Sequence, residues 1–210
     1  HIIIYLHCSL SFFSKIRRRG KHELLKASNK LWLWLTRNVW FLRVFYETRE
    51  TEAYVTFNIW FWQKVMGRNR HAYWPMHKLS TINVHKSIYV GIGSAPGLSP
   101  GCYIQGIGKV YIGNYVGIGP NVGILSGSHH VFDLTKYKQG VVRIGDYCWI
   151  GMNCVIMPDI ELGEYTIVQA GSVVKSSFKE GYCVIGGNPA TLIKKFPPES
   201  HHLFNKYEYK

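Results

Sequence analysis

Long apolar runs, metal-type cysteine pairs and acidic residues are what this sequence has least of. No apolar run reaches the ~18–20 residues that a membrane-spanning helix needs, so no spanning helix is expected. The five cysteines, Cys8, Cys102, Cys148, Cys154 and Cys183, are odd in number and include no C-x-x-C. That spacing excludes the usual zinc knuckle and a fully paired disulfide framework, and points to a reducing, cytoplasmic compartment. Asp and Glu number 12 against 25 Lys and Arg, a formal net charge of +13 at pH 7. The excess is uneven: residues 1–80 hold 14 of the 25 basic and 4 of the 12 acidic side chains. Ile2 to Phe13 is apolar, but its basic run, Lys15 to Lys21, follows it, the reverse of a secretory signal. No nucleic-acid motif accompanies the charge, so no nucleic-acid partner is expected.

What the sequence does have is a period of six. Ile144, Ile150, Ile156, Leu162, Val168 and Val174 are all aliphatic. A second column, four residues on, runs Cys148, Cys154, Ile160, Thr166, Ser172 and Phe178. Glycine follows the aliphatic at Gly145, Gly151 and Gly163. Neither a helix (period 3.6) nor a lone strand (period 2) predicts this. Triangular coils do, with one short strand per side and one aliphatic pointing inward from each. The period resumes upstream at Ile112, Ile118 and Ile124, with Val116, Val122 and Ser128 in the second column. Residues 131–143 lack it and read as an inserted loop.

The flanks read differently. Residues 1–80 form a basic, Trp-rich region. Two helices are expected there, one through Leu24 to Phe45 and one through Ala53 to Met66, breaking near Glu47 to Glu52. This region either packs on the repeat domain or a neighbouring subunit, or rests on an anionic membrane or lipid-linked glycan. Residues 81–187 are the repeat domain. Residues 188–210 are a turn, a short helix over Ala190 to Phe196 ended by Pro197-Pro198, and a tail.

The hexads Ile112-Gly113-Asn114-Tyr115-Val116-Gly117 and Ile150-Gly151-Met152-Asn153-Cys154-Val155 resemble the hexapeptide repeat of left-handed parallel β-helix acyltransferases. Val168-Gln169-Ala170-Gly171-Ser172-Val173-Val174 and Gly187-Asn188-Pro189-Ala190 are similar to that family's cofactor-binding end. Within the family the chain is most similar to capsule and lipopolysaccharide O-acetyltransferases. The resemblance implies a mainly β fold, a left-handed parallel β-helix between an N-terminal helical region and a short C-terminal helix. It also implies a homotrimer with clefts shared between neighbours, acetyl-CoA as acyl donor, no metal and a saccharide acceptor. The expected reaction is direct O-acetylation. N-acetylation of an amino sugar and a non-catalytic β-helix scaffold are the alternatives. A zinc enzyme on the same fold needs three convergent histidines, and the repeat region lacks that spacing.

The resemblance implies site residues too. His129, in Ser128-His129-His130 at the lip of the loop, matches the catalytic histidine. Imidazole suits removal of a hydroxyl proton near neutral pH. His130 stands where the family often has Asp or Pro, and is expected near the acceptor with Gln105. Trp149 is expected to aim a backbone N–H at the developing oxyanion, and Asp133 to orient His129. Gly151, Ala170 and Gly171 match positions along the pantetheine arm, with Ser172 and Lys175 beside them. Lys194 and Lys195 are suited to nucleotide phosphates. Thr191 stands where the family often has a cation after Pro-Ala.

Overall fold

The computed structural model describes residues 30–39, 42–48, 51 and 53–199. The N-terminal 29 residues, with the basic run Lys15 to Lys21 and the start of the first expected helix, and the tail from 200 lie outside these. The chain forms two compact units, one ending at Arg49 and one beginning at Glu50. In the first, residues 30–38 are helical (α1), and α2 spans Arg43–Glu47. Trp32 and Phe45 meet there with ring centroids 5.6 Å apart. No helix among the described residues is long and apolar enough to cross a membrane.

The second unit begins with a helical turn, α3 (Phe57–Trp60), capped by Thr56 and continued to Val65 with π-type hydrogen bonding. Residues 50 to 80, expected with the helical region, thus belong to the unit that holds the coils. The buried Gln63 ties them down: its amide donates to the Trp74 carbonyl at 2.9 Å, and its oxygen accepts from Met76 N at 3.3 Å. Trp74 in turn donates its indole N–H to Pro96 O at 2.8 Å.

From Thr81 the chain winds through three parallel sheets in rotation. Strands are numbered in chain order. Face one holds β2 (Ile88–Val90), β4 (Lys109–Ile112), β9 (Val141–Ile144) and β12 (Glu161–Leu162). Face two holds β5 (Gly117–Ile118), β10 (Trp149–Ile150), β13 (Thr166–Val168) and β15 (Cys183–Gly187), and face three β1 (Thr81–Asn83), β3 (Tyr103–Gln105), β6 (Gly123–Leu125), β11 (Val155–Ile156) and β14 (Val173–Val174). This is the parallel β-helix that the six-residue period predicts. The first aliphatic column is buried from Ile144 through Val174. Full burial of one such side chain is worth roughly 1.5–3 kcal/mol. Gly151 is glycine because coils stack closely: a Cβ there would lie 2.6 Å from Ala170 N.

The corners repeat as well. Tyr115, Asn121, Tyr147, Asn153, Asp159, Tyr165 and Tyr182 all have left-handed φ, between 45° and 62°. That conformation costs a non-glycine residue about 1–2 kcal/mol. Stacking offsets it. Tyr115, Tyr147, Tyr165 and Tyr182 form a column along the edge between faces one and two, with centroids 5.3, 4.9 and 5.1 Å apart. Each such pair contributes about 0.5–1.5 kcal/mol beyond area burial. Asn121 donates to the Asn153 side chain at 3.1 Å on the next edge.

Two expectations need correction. Ala190 to Lys195 is no helix but a strand, β16 (Ala190–Lys195), antiparallel to β15 on face two. The Gly187-to-Pro189 turn sends the chain back along the unpaired side of β15, and a ladder satisfies backbone groups that a helix would leave open. The inserted segment also begins and ends earlier than 131–143, and it is structured. Val141 and Val142 already belong to β9, with Val142 fully buried opposite Val110. Ser128 is exposed rather than inward, because the chain leaves the coil two residues earlier.

Candidate active site

The insertion is a β-hairpin, β7 (Gly127–His130) with β8 (Asp133–Gln139). It emerges between faces three and one. Its neck is pinned: Ser126 donates to Gln105 O at 2.6 Å and accepts from Gly108 N at 3.0 Å, while Gly140 N donates to Ser126 O at 2.7 Å. Gln105 helps hold the neck, its side-chain oxygen accepting from Gly127 N at 3.1 Å.

His129 stands midway up β7, exposed, opposite Tyr137. Its Nδ1 lies 2.8 Å from the Leu134 carbonyl. A carbonyl only accepts, so Nδ1 carries the proton and Nε2 of the neutral ring is left with a lone pair. The Tyr137 ring lies against the imidazole, 4.6 Å between centroids and tilted by 40°. The orienting partner is therefore not Asp133. That carboxylate accepts from the Thr135 hydroxyl at 2.5 Å and pairs with Lys136 at 3.0 Å. The Thr135 hydroxyl first, then Lys136, hold it below the usual carboxylate range. His130 turns its Nδ1 to Phe132 N at 3.4 Å, within the turn. At the tip, Val131 and Phe132 are 83% and 92% exposed.

At the foot of the hairpin is a recess of about 270 Å³, lined by Ser128, Lys138, Gly140, Pro158, Asp159 and Lys175. It brings Lys175 next to the residue before His129. Lys138 was not anticipated, nor were Tyr137 and the Leu134 carbonyl. The strand-favouring Thr135 and Tyr137, alternating with Lys136 and Lys138, are the signal that could have placed them on a strand.

A larger groove, about 480 Å³, runs along face two beside Trp149, Gly151, Met152, Ile167, Gln169 and Ala170. Trp149 is 47% exposed and lies over Gly117, where a Cβ would meet its ring at 2.4 Å. Its backbone does not fit the expected oxyanion role. Alternate N–H groups of a strand point the same way, and Gly151 N donates to Val168 O at 2.9 Å. The Trp149 N–H therefore points at the same neighbouring strand, within the ladder and not into the groove. Ala170 is exposed beside it, and Gly171 (φ +74°) has open space where a Cβ would be. Ser172 cannot touch a ligand: it is fully buried, donating to Gln169 O at 2.6 Å and accepting from Gly187 N at 3.2 Å. Lys194 and Lys195 lie on exposed β16, and Lys195 pairs with Glu180. Among the described residues, no three His, Cys, Asp or Glu side chains could share a metal ion.

One chain thus brings His129, Lys138 and Lys175 to one edge, and Trp149, Gly151 and Ala170 to a different face. Residues 142–176 match the family described as bacterial transferase hexapeptide (six repeats). A Saccharomyces cerevisiae protein named as a candidate acetyltransferase is 40% identical over 92 residues, 41% of this chain and 46% of its own length. A Lysinibacillus sphaericus protein named as a candidate macrolide acetyltransferase is 32% identical over 124 residues, 48% of this chain and 68% of its own. The chain spans about half the length of the curated relatives it matches in S. cerevisiae, Bacillus subtilis and Schizosaccharomyces pombe. Its fold is similar to that of a galactoside acetyltransferase solved with coenzyme A, with a TM-score of 0.54 at 23% identity over 65% of this chain and 66% of that one. Repeat, coils and relatives agree: the chain belongs to the hexapeptide-repeat acetyltransferases.

Proposed function

We propose that the protein moves an acetyl group from acetyl-CoA to a hydroxyl of a saccharide, an intermediate of surface polysaccharide synthesis, with His129 as general base. The observation that carries this is the His129 tautomer: with Nδ1–H held by Leu134 O, Nε2 is the acceptor. The sugar hydroxyl gives its proton to Nε2 as its oxygen attacks the thioester carbonyl. The tetrahedral intermediate then expels the thiolate of CoA, which takes that proton back from Nε2. The imidazole ends as it began, and no acyl-enzyme forms.

Lys138 and Lys175 at the foot of the hairpin suit the phosphates of the donor as point charges. Lys194 is a further cation for the same purpose. Pantetheine would lie along Gly151, Ala170 and Gly171. Those residues face a different way from His129 on the same chain, so a cleft uniting them takes its second wall from another copy. A homotrimer of left-handed coils supplies it. The surplus of basic residues within 1–80 would hold the enzyme near anionic membrane or lipid-linked glycan on the cytoplasmic side.

Thiol release from acetyl-CoA, measured against a panel of mono- and oligosaccharides, tests the reading. Acceptor-dependent release is expected, and it is expected to vanish in His129→Ala. Near-normal turnover in that variant overturns the assignment, and sedimentation as a monomer under assay conditions overturns the shared cleft.

A further inference from the structure

His129 is an exposed side chain on a hairpin, and an exposed imidazole ordinarily samples several rotamers. A base that must meet a hydroxyl within hydrogen-bond reach gains nothing from a proton acceptor that wanders. Two contacts hold this ring, and both come from β8. The Leu134 carbonyl takes Nδ1–H at 2.8 Å. Three residues on, Tyr137 lays its ring against one face of the imidazole, 4.6 Å between centroids. His129 and Tyr137 are register partners in the β7–β8 ladder, so backbone pairing rather than a loop sets their separation. The neck at Ser126 and Gly140 fixes the hairpin to the coils.

We infer that Tyr137 is a positioning residue for His129: its ring confines the imidazole to the orientation in which Leu134 O holds Nδ1–H and Nε2 faces the incoming hydroxyl. The inference rests on the general-base reading above and names a residue that reading does not need. The ring has a second use. During proton transfer the imidazole becomes a cation, and the face of an aromatic ring attracts a cation within about 6 Å of its centroid. The tyrosine hydroxyl plays no part, so phenylalanine should serve equally well. A branched aliphatic should keep the hairpin paired but lose the flat face.

The test uses the full chain and four variants: Tyr137→Leu, Tyr137→Phe, Lys136→Ala as a control on the same strand, and His129→Ala. Steady-state kinetics give kcat and KM for acetyl-CoA. Nitrogen-15 spectra of the His129 imidazole at a pH where it is neutral give the tautomer. Tyr137→Leu should lower kcat about tenfold with KM unchanged, and the separate Nδ1–H and Nε2 signals should move toward their average. Tyr137→Phe and Lys136→Ala should match the parent in both readouts. Unchanged kcat and unchanged signals in Tyr137→Leu would overturn the inference alone. So would an equal loss in Lys136→Ala, which would make the effect one of hairpin stability. Retained turnover in His129→Ala would remove the general-base reading and this inference with it.

Discussion

Between Val141 and Val174 the inward aliphatics are all buried, whereas between Ser128 and Gln139 not one side chain is. The first stretch repeats: Ile150 pairs with Val168 in the next coil, and Val155 with Val173. The second repeats nothing. Yet the second holds the imidazole, its carbonyl partner and a tyrosine tilted against it. The difference teaches where selection for chemistry can act. A repeated coil is constrained at nearly every position by the coil above and the coil below. A hairpin pinned only at its neck is free to carry exposed polar and aromatic groups.

The comparison breaks most sharply through His129→Ala. General-base catalysis is worth roughly 10²–10⁴-fold, and thiol release should fall by about that factor. Thermal unfolding should hardly move, because the side chain is exposed. Ile156→Ala should do the opposite. It removes a fully buried inward side chain and should cost about 2–5 kcal/mol in denaturant titrations, lowering activity only as far as the protein unfolds. Tyr165→Ala comes next. It deletes the middle of the edge column, at 4.9 and 5.1 Å from its neighbours, and should cost about 2–3 kcal/mol. Tyr165→Asn, which tolerates left-handed φ better, should recover part of that loss.

The smallest effect is in pH. Tyr182 donates its hydroxyl to Glu164 at 2.8 Å, and that bond pushes the phenol up to about 12 from 10.0. The folded form therefore favours the protonated ring. Its contribution is complete below pH 10 and disappears as pH rises through 12. Solvent screening at this exposed site limits it to about a few tenths of a kcal/mol. Stability curves of the parent and of Tyr182→Phe should converge across that window. A gap that persists unchanged above pH 12 would assign the bond no energetic role.

The coils were legible because burial writes itself into sequence at a fixed interval. Ile144 through Val174 stand where the period places them. The tyrosine column was equally available, since Tyr147 and Tyr165 occupy the same corner of successive coils, but outward corners show no hydrophobic signal. β16 was misread for a physical reason. Leu192, Ile193, Lys194 and Lys195 fit a short helix on local grounds, and only the unpaired side of β15 makes a strand the better answer. At the candidate site, His129 was legible from its place at the end of a block. Its partners were not, because the register that sets Tyr137 opposite His129 is a tertiary fact. Asp133 was expected as the orienting group for its charge, but a neighbouring carbonyl reaches Nδ1 and the carboxylate stays with Thr135 and Lys136.

β16 also bears on how such molecules avoid growing end to end. A parallel coil finishes with a strand whose free side could recruit the first coil of another chain, and repetition of that contact would make a filament. Here the last strand of face two runs backwards and carries Lys194 and Lys195 near its end. Reversed direction denies a further parallel rung, and cations on an outermost strand discourage any partner. The same six residues therefore blunt the end of face two against such a contact.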